Sequence, residues 1–340
     1  MTQGSLEQRK SDHIKINLEQ DVASRTTAGL EKLRFVHQAL PELDMRAIDL
    51  EMDIFGKHLN GPLLISCMTG GTEEARLINR NLAIAAQAKG VAMGLGSMRA
   101  AVVRPELAPT FQVRDVAPDI VLFANIGAVQ LNYGFSTQQC RQAIDMVQAD
   151  ALVLHLNPLQ EALQPEGDVN WSNLLRKIET VVRAMPVPVI AKEVGWGISQ
   201  PAARQLVEAG VSGIDVAGAG GTSWSQVEMY RARTDIQRRV AAAFADWGIS
   251  TVESVRNVRT VAPYMPVIAS GGLKNGVDGA KCLALGAAMF GMAGPFLRAA
   301  AQSDQAVYDE IEVMLRQLRV TMFCVGAADL SELRRVMLTE

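Results

Sequence analysis

Short apolar runs recur along the chain, each giving way to Gly, Ser, Asn or another polar residue. They are Pro62–Met68, Val91–Leu95, Ile120–Ile126, Ala151–Leu156, Val187–Glu193, Gly213–Ala217, Pro266–Ser270 and Ala287–Met292. Such runs are continuous rather than alternating, the pattern of strands covered on both faces. Between them the apolar residues take helical spacing, as in Glu73–Lys89, Gln138–Gln148, Trp171–Met185 and Gln200–Ala209. Most runs start roughly 22 to 36 residues apart, which suits successive strand–helix units. Eight such units favour a closed α/β barrel, the (β/α)8 or TIM barrel, over an open sheet.

Three departures from the repeat carry information. Residues 1–61 precede the first strand and form an N-terminal extension, expected to be partly helical. The segment from Gly218 to Pro263 is too long for one crossover helix, and its Arg-rich stretch Tyr230–Val240 implies a mobile loop or an extra helix near the barrel top. The tail from Asp304 to Glu340 has helical periodicity in IEVMLRQLRVTMF and would cap the barrel or support assembly. No low-complexity linker intervenes. An extension (1–61), a barrel (62–303) and a helical tail (304–340) therefore make one domain with additions.

In barrels the active site is built at the C-terminal ends of the strands. Here those ends are polar and glycine-rich: Met68-Thr69-Gly70-Gly71-Thr72, Ser97-Met98-Arg99, Asn125, His155-Leu156-Asn157, Lys192, Gly218–Thr222, Ser270–Lys274 and Ala293-Gly294. SGGLKNG (270–276) after strand 7 and GMAGPF (291–296) after strand 8 form a phosphate handle of the kind in which exposed backbone N–H groups face an anion. Lys192 ends the apolar run VPVIAK, where a buried cation needs an anionic partner. Three roles stay open for it: a salt bridge to Glu193 or Asp215, a Schiff-base lysine, or a partner for the anionic N1–C2 edge of a reduced flavin. After strand 4, HLNPLQE brings His155, Asn157, Gln160 and Glu161 within seven residues. Amide and carboxylate oxygens of that kind suit a hard cation such as Mg2+, which takes one or two carboxylates and keeps several waters. Arg9-Lys10, taken alone, read as solvated surface.

Composition narrows the setting. The formal charge of −3 offers no field for nucleic acid or an anionic membrane, so an anionic ligand must rely on local basic groups. Four Cys at wide, irregular spacing match neither a zinc pattern nor a disulfide framework and suit a reducing compartment. With no bilayer-length apolar run and a polar N-terminus, the expectation is a cytoplasmic protein.

RKSDHIKINL, MTGGT, GLGSMR, ANIGAVQL, LHLNPLQEALQPEGD, AKEVGWGIS, DVAGAGGTSW and SGGLKNG, in this order, resemble the type 2 isopentenyl-diphosphate isomerases over about residues 9–297. The resemblance implies an FMN- and Mg2+-dependent isomerisation of isopentenyl to dimethylallyl diphosphate, with NADPH or another reductant charging the flavin. It implies flavin contacts at Met68, Thr69, Gly70, Ser97, Asn125, Lys192 and Thr222, and a flavin phosphate on Gly271, Gly272, Leu273, Lys274, Ala293 and Gly294. The substrate would meet Arg9, Lys10, Ser97, Met98, Arg99, His155, Asn157 and Gln160, with Gln160 near the hydrocarbon and Glu161 on the metal. Gln160, His155 and Lys192 are then the catalytic candidates. Gly294 stands where a variable small or basic residue is expected, so its contact would be through backbone alone. The terminal additions suit assembly into a homo-oligomer, a tetramer or larger.

The main rival on the same barrel is a flavin-dependent 2-hydroxy-acid oxidase or dehydrogenase, whose chemistry needs a His base after strand 6. There GAGGTSW (218–224) has none. Two further rivals are a flavin-free barrel using Lys192 on a phosphorylated sugar or nucleotide, and a non-catalytic scaffold.

Overall fold

The structure, a computed structural model, describes the backbone of residues 3–340 and side chains from residue 9 onward. Eight strands close into a barrel: β1 (Leu63–Ile65), β2 (Ala92–Gly94), β3 (Leu122–Gly127), β4 (Ala151–Leu156), β5 (Val189–Glu193), β6 (Gly213–Asp215), β7 (Val267–Ser270) and β8 (Met289–Met292). All neighbours are parallel, and β8 closes on β1 through Phe290–Leu63, Gly291–Leu64 and Met292–Ile65. Each expected strand falls on one of the eight apolar runs.

The helices are α1 (Gln3–Glu19), α2 (Glu73–Lys89), α3 (Arg99–Val103), α4 (Thr137–Val147), α5 (Pro158–Leu163), α6 (Leu174–Ala184), α7 (Gln200–Glu208), α8 (Trp224–Arg231), α9 (Asp235–Ala242), α10 (Thr251–Val261), α11 (Gly276–Ala284), α12 (Gly294–Ala300) and α13 (Asp304–Val325). Local chemistry sets the ends of α2. The Thr72 hydroxyl accepts from the Ala75 N–H, Glu73 and Glu74 complement the positive end of the dipole, and Gly90 ends the helix in the left-handed region at φ 64°.

Along each strand the side chains alternate between two cores. Leu64, Phe123, Val153, Ile190, Ile268 and Met289 point into the barrel, while Leu63, Leu122, Leu152, Val189, Val267 and Phe290 pack beneath the helices. The next inward position, two residues on, is polar on five strands: Ser66, Asn125, His155, Lys192 and Ser270. Asp215 joins them from β6, paired in register with Lys192, which in turn pairs with His155. The apolar layer therefore carries a polar layer on top of it.

The additions close both ends of the barrel. The extension is partly helical, as expected, but it also contains an antiparallel hairpin, Met52–Ile54 with Lys57–Leu59. Ile54 and Leu59 of this hairpin join the inner core, and Phe55 meets the Phe123 ring edge-on at 5.9 Å. The long segment after β6 holds two extra helices, α8 and α9, before the crossover helix α10. The tail helix α13 packs along α2, α11 and α12, burying Val307, Ile311, Met314, Leu318 and Met322. A two-residue strand pairing, Arg34–Phe35 with Leu338–Thr339, joins the tail to the extension. Among the described residues no helix is long and apolar enough to cross a membrane.

Leu318 is fully buried in the α13 seam. Leu318→Ala is expected to cost about 2–5 kcal/mol of unfolding free energy in a denaturant titration; a loss below about 1 kcal/mol would mean that the tail is not part of the barrel's core.

Candidate active site

The polar layer is the floor of a cavity of about 420 Å3 at the C-terminal ends of the strands. Two pairs of its groups are joined directly, Asn125 with His155 and Ser270 with Asp215, while Ser66 Oγ is buried without a partner. The Asn125 amide donates to the Leu95 carbonyl, so its oxygen is left to accept from His155 Nδ1 at 2.8 Å. His155 Nε2 is thereby the unprotonated nitrogen. Burial, followed by the charges of Lys192 and Arg9, pushes the imidazole down to about 3, so it is neutral at physiological pH. The Lys192 ammonium donates to the carbonyl of Glu193 at 2.6 Å and keeps two further donors. The salt-bridge reading of Lys192 is not what the geometry shows, because no described carboxylate pairs with it. Glu193 instead accepts from the N–H groups of Val194, Gly195 and Trp196, although burial still raises its carboxyl to about 7. Burial also raises Asp215, against the pull of Lys192 and of the Ser270 hydroxyl 2.5 Å away.

Glycines recur around the lining: Gly70, Gly96, Gly127, Gly195, Gly218 and Gly291 stand on or after six of the eight strands. The β6 and β7 loops touch backbone to backbone. Gly272 has φ 75°, and a Cβ there would run into the Gly220 carbonyl carbon. Ala293 precedes α12 without a side-chain cap, which leaves first-turn N–H groups unclaimed by any side chain.

Further lining comes from β4, α5 and the extension. Asn157 Nδ2 donates to Gln160 Oε1 and Glu161 Oε1, both at 3.0 Å, while its own Oδ1 is buried without a partner. Glu161 Oε2 accepts from the Asp168 N–H at 2.7 Å and from Gln164. Arg99 binds Asp168 at 2.6 Å, and Arg9 reaches Gln164 at 3.4 Å. Lys10 donates to the carbonyls of Gly70 and Ser97. Burial, then the charges of Arg9 and Arg104, push Lys10 down to about 7. Helix α1 is clasped to α8 by His13, which meets Glu228 at 3.1 Å and the Trp224 ring edge-on at 5.0 Å.

Nearly all the residues singled out from sequence line this one cavity, including Arg9 and Lys10 of the same chain. Met98 and Lys274 do not. Met98 is fully buried in the outer core, and the Lys274 N–H is taken by Asp278. The cavity also takes in His13, Ile14 and Asn17, which fall on one helical face with Lys10, a spacing visible in the sequence. Gln164 follows Gln160 by one helical turn in the same way. Gln130 carries no such signal. Arg298, one turn beyond Gly294, also lines the cavity, its guanidinium 3.6 Å from where a Cβ on Gly294 would stand.

A model of the FMN-dependent dehydrogenase family matches residues 129–340, so the fold and the site define a barrel of that flavoprotein class. Mandelate oxidase with (S)-2-phenylpropionate shares the fold, with a TM-score of 0.66 at 20% identity over 99% of this chain and 97% of that one. Far closer in sequence is an isopentenyl-diphosphate delta-isomerase of Rickettsia bellii (strain RML369-C), 54% identical over 97% of this chain and 96% of the relative. The enzyme of the same description from Nostoc sp. is 55% identical over 96% and 93%. The chain belongs to the isopentenyl-diphosphate delta-isomerase family and is an isomerase.

The residues present fit the cofactor in that family description. The glycine-rich strand ends leave room beside Lys192, and the Gly271–Gly272 turn with Arg298 suits a phosphate. They also fit a lone divalent cation: among the described residues no cluster of three His, Cys, Asp or Glu exists, but Glu161 stands beside the Gln160 oxygen and the unpartnered Asn157 oxygen. Gly272→Ala should strip at least about nine-tenths of the flavin from purified protein, because its Cβ meets backbone and strains a positive φ. An unchanged flavin absorption band would reject the cradle.

Proposed function

We propose that the chain converts isopentenyl diphosphate to dimethylallyl diphosphate with reduced FMN and Mg2+. What supports this is a single cavity lined by glycine-rich strand ends and Lys192 together with three cations, Arg9, Lys10 and Arg99, and one carboxylate, Glu161.

The reaction adds a proton to an alkene carbon and removes another from a neighbouring carbon, by way of a tertiary carbocation. The site must therefore exclude water and present an acid. Neither His155, neutral with its free nitrogen an acceptor, nor Cys67, raised by burial to about 12, is suited to be that acid. Reduced FMN supplies the missing acid–base chemistry and an electron-rich face for the cation. Lys192 balances the negative charge of the reduced ring. Arg9, Lys10 and Arg99 hold the diphosphate, with Asn157 and neutral His155 beside them, and so fix the hydrocarbon against the flavin. Gln160, locked by Asn157, orients the hydrocarbon and passes on the second proton. Glu161 holds Mg2+, which screens the diphosphate. NADPH serves as the reductant, although the net reaction is redox-neutral. A 2-hydroxy-acid oxidation lacks its base: the sequence has four His, and none lies between Gly218 and Trp224.

Flavin-loaded enzyme should form dimethylallyl diphosphate only with Mg2+ and a reductant, and turnover by fully oxidised enzyme would reject the mechanism. Glu161→Gln should weaken Mg2+ activation by more than about tenfold with the flavin retained, whereas loss of flavin would misplace the metal site. Because anion binding favours the charged form of Lys10, kcat/KM should fall as pH rises above about 7. Lys10→Gln should flatten that limb; an identical pH profile would exclude Lys10 from the diphosphate site.

A further inference from the structure

We propose that Asp168 is the positioning residue of the diphosphate site, tying the arginine after β2 to the metal carboxylate of α5 without itself touching substrate. The proposal rests on the reading of Arg99 and Glu161 given above. Asp168 is buried, yet it does not line the cavity. Its Oδ2, its N–H and its carbonyl are each engaged. Its carboxylate accepts from Arg99 at 2.6 Å and from the Gln130 amide at 3.0 Å. Its N–H donates to Glu161 Oε2 at 2.7 Å, and its carbonyl accepts from the Trp171 indole at 3.1 Å. Three groups that do line the cavity, on three different elements, are thus fixed by one residue. The chain just before it is pressed onto α5: a Cβ on Gly167 would run into the Glu161 carbonyl oxygen, so only glycine lets Asp168 reach its place.

The partner groups keep unused bonding capacity at the cavity. Gln130 gives its amide hydrogens to Asp168, and its Oε1 is buried without a partner. Arg99 commits one donor to Asp168 out of the five on a guanidinium, and its side chain remains partly exposed to the cavity. Two effects oppose each other here. The Asp168 charge repels a diphosphate, but it sits directly against the guanidinium, which cancels much of that field. Fixing the long Arg99 side chain in advance lowers the ordering cost when the anion binds. Orientation is expected to win.

The test uses flavin-loaded enzyme and inorganic pyrophosphate with Mg2+, titrated calorimetrically, beside steady-state turnover. Asp168→Asn should weaken pyrophosphate binding about tenfold and raise KM to match, with kcat within about twofold and flavin content unchanged. In an Arg99→Ala background the same change should add less than about twofold, because the two residues act as a unit. Tighter or unchanged pyrophosphate binding in Asp168→Asn, multiplicative losses in the double variant, or equal falls in kcat and flavin content would each overturn the proposal, as would wild-type enzyme that fails to bind pyrophosphate. Asp168→Asn is nearly isosteric and keeps the backbone bond to Glu161, so the comparison does not depend on a disruptive variant. Pyrophosphate binding that follows this pattern in an enzyme without isomerase activity would refute the functional reading and leave the Asp168 coupling standing.

Discussion

The period of two along each barrel strand, imposed on eight strands in mutual register, is the constraint on which the rest of the molecule depends. It sends Phe123, Val153, Ile190 and Ile268 into the barrel and, two residues later, sends Asn125, His155, Lys192 and Ser270 inward as well. The apolar layer excludes water beneath; the polar layer above it then has its own members, nearby backbone carbonyls and a ligand to bond with. That is why Asn125 fixes the His155 tautomer and why Lys192 turns to a backbone carbonyl.

Electrostatics decide what such a cavity can hold. Arg9, Lys10 and Arg99 crowd one wall with Glu161 as the carboxylate among them, and burial with like-charge repulsion already drives Lys10 down to about 7. Desolvated cations in that state are stabilised by an anion, and doubly so by one carrying several charges. The glycines at the strand ends leave room between these charged groups and the barrel floor. A ligand pair consisting of a flat ring and a diphosphate uses both the room and the charge.

Much of the site lies outside the eight strand–helix units. Helix α1 brings Arg9, Lys10, His13 and Asn17 over the strand ends, and it is held there by the His13–Glu228 contact to α8, an insertion after β6. The hairpin at 52–59 seals the other end of the barrel. The barrel thus supplies the rigid floor, and the additions supply the wall and the closure.

The eight strands, the barrel and most of the glycine-rich rim were legible in the sequence, because continuous apolar runs and glycine turns are local signals that need no partner to be recognised. The face Lys10–His13–Ile14–Asn17 was equally local, though it becomes meaningful only once a cavity lies beneath it. Other features had no local signature. Met98 belongs to a motif whose neighbours face the cavity, but the turn into α3 carries it into the outer core. Lys192 could have paired with Glu193 or Asp215 on charge alone; strand geometry gave Glu193 to three backbone N–H groups and Asp215 to Ser270. The joining of Arg99, Gln130, Glu161 and Asp168 spans three elements, and contacts between residues distant in sequence are set by packing. Local pattern therefore determined which residues could be reactive, and tertiary structure alone decided which of them meet.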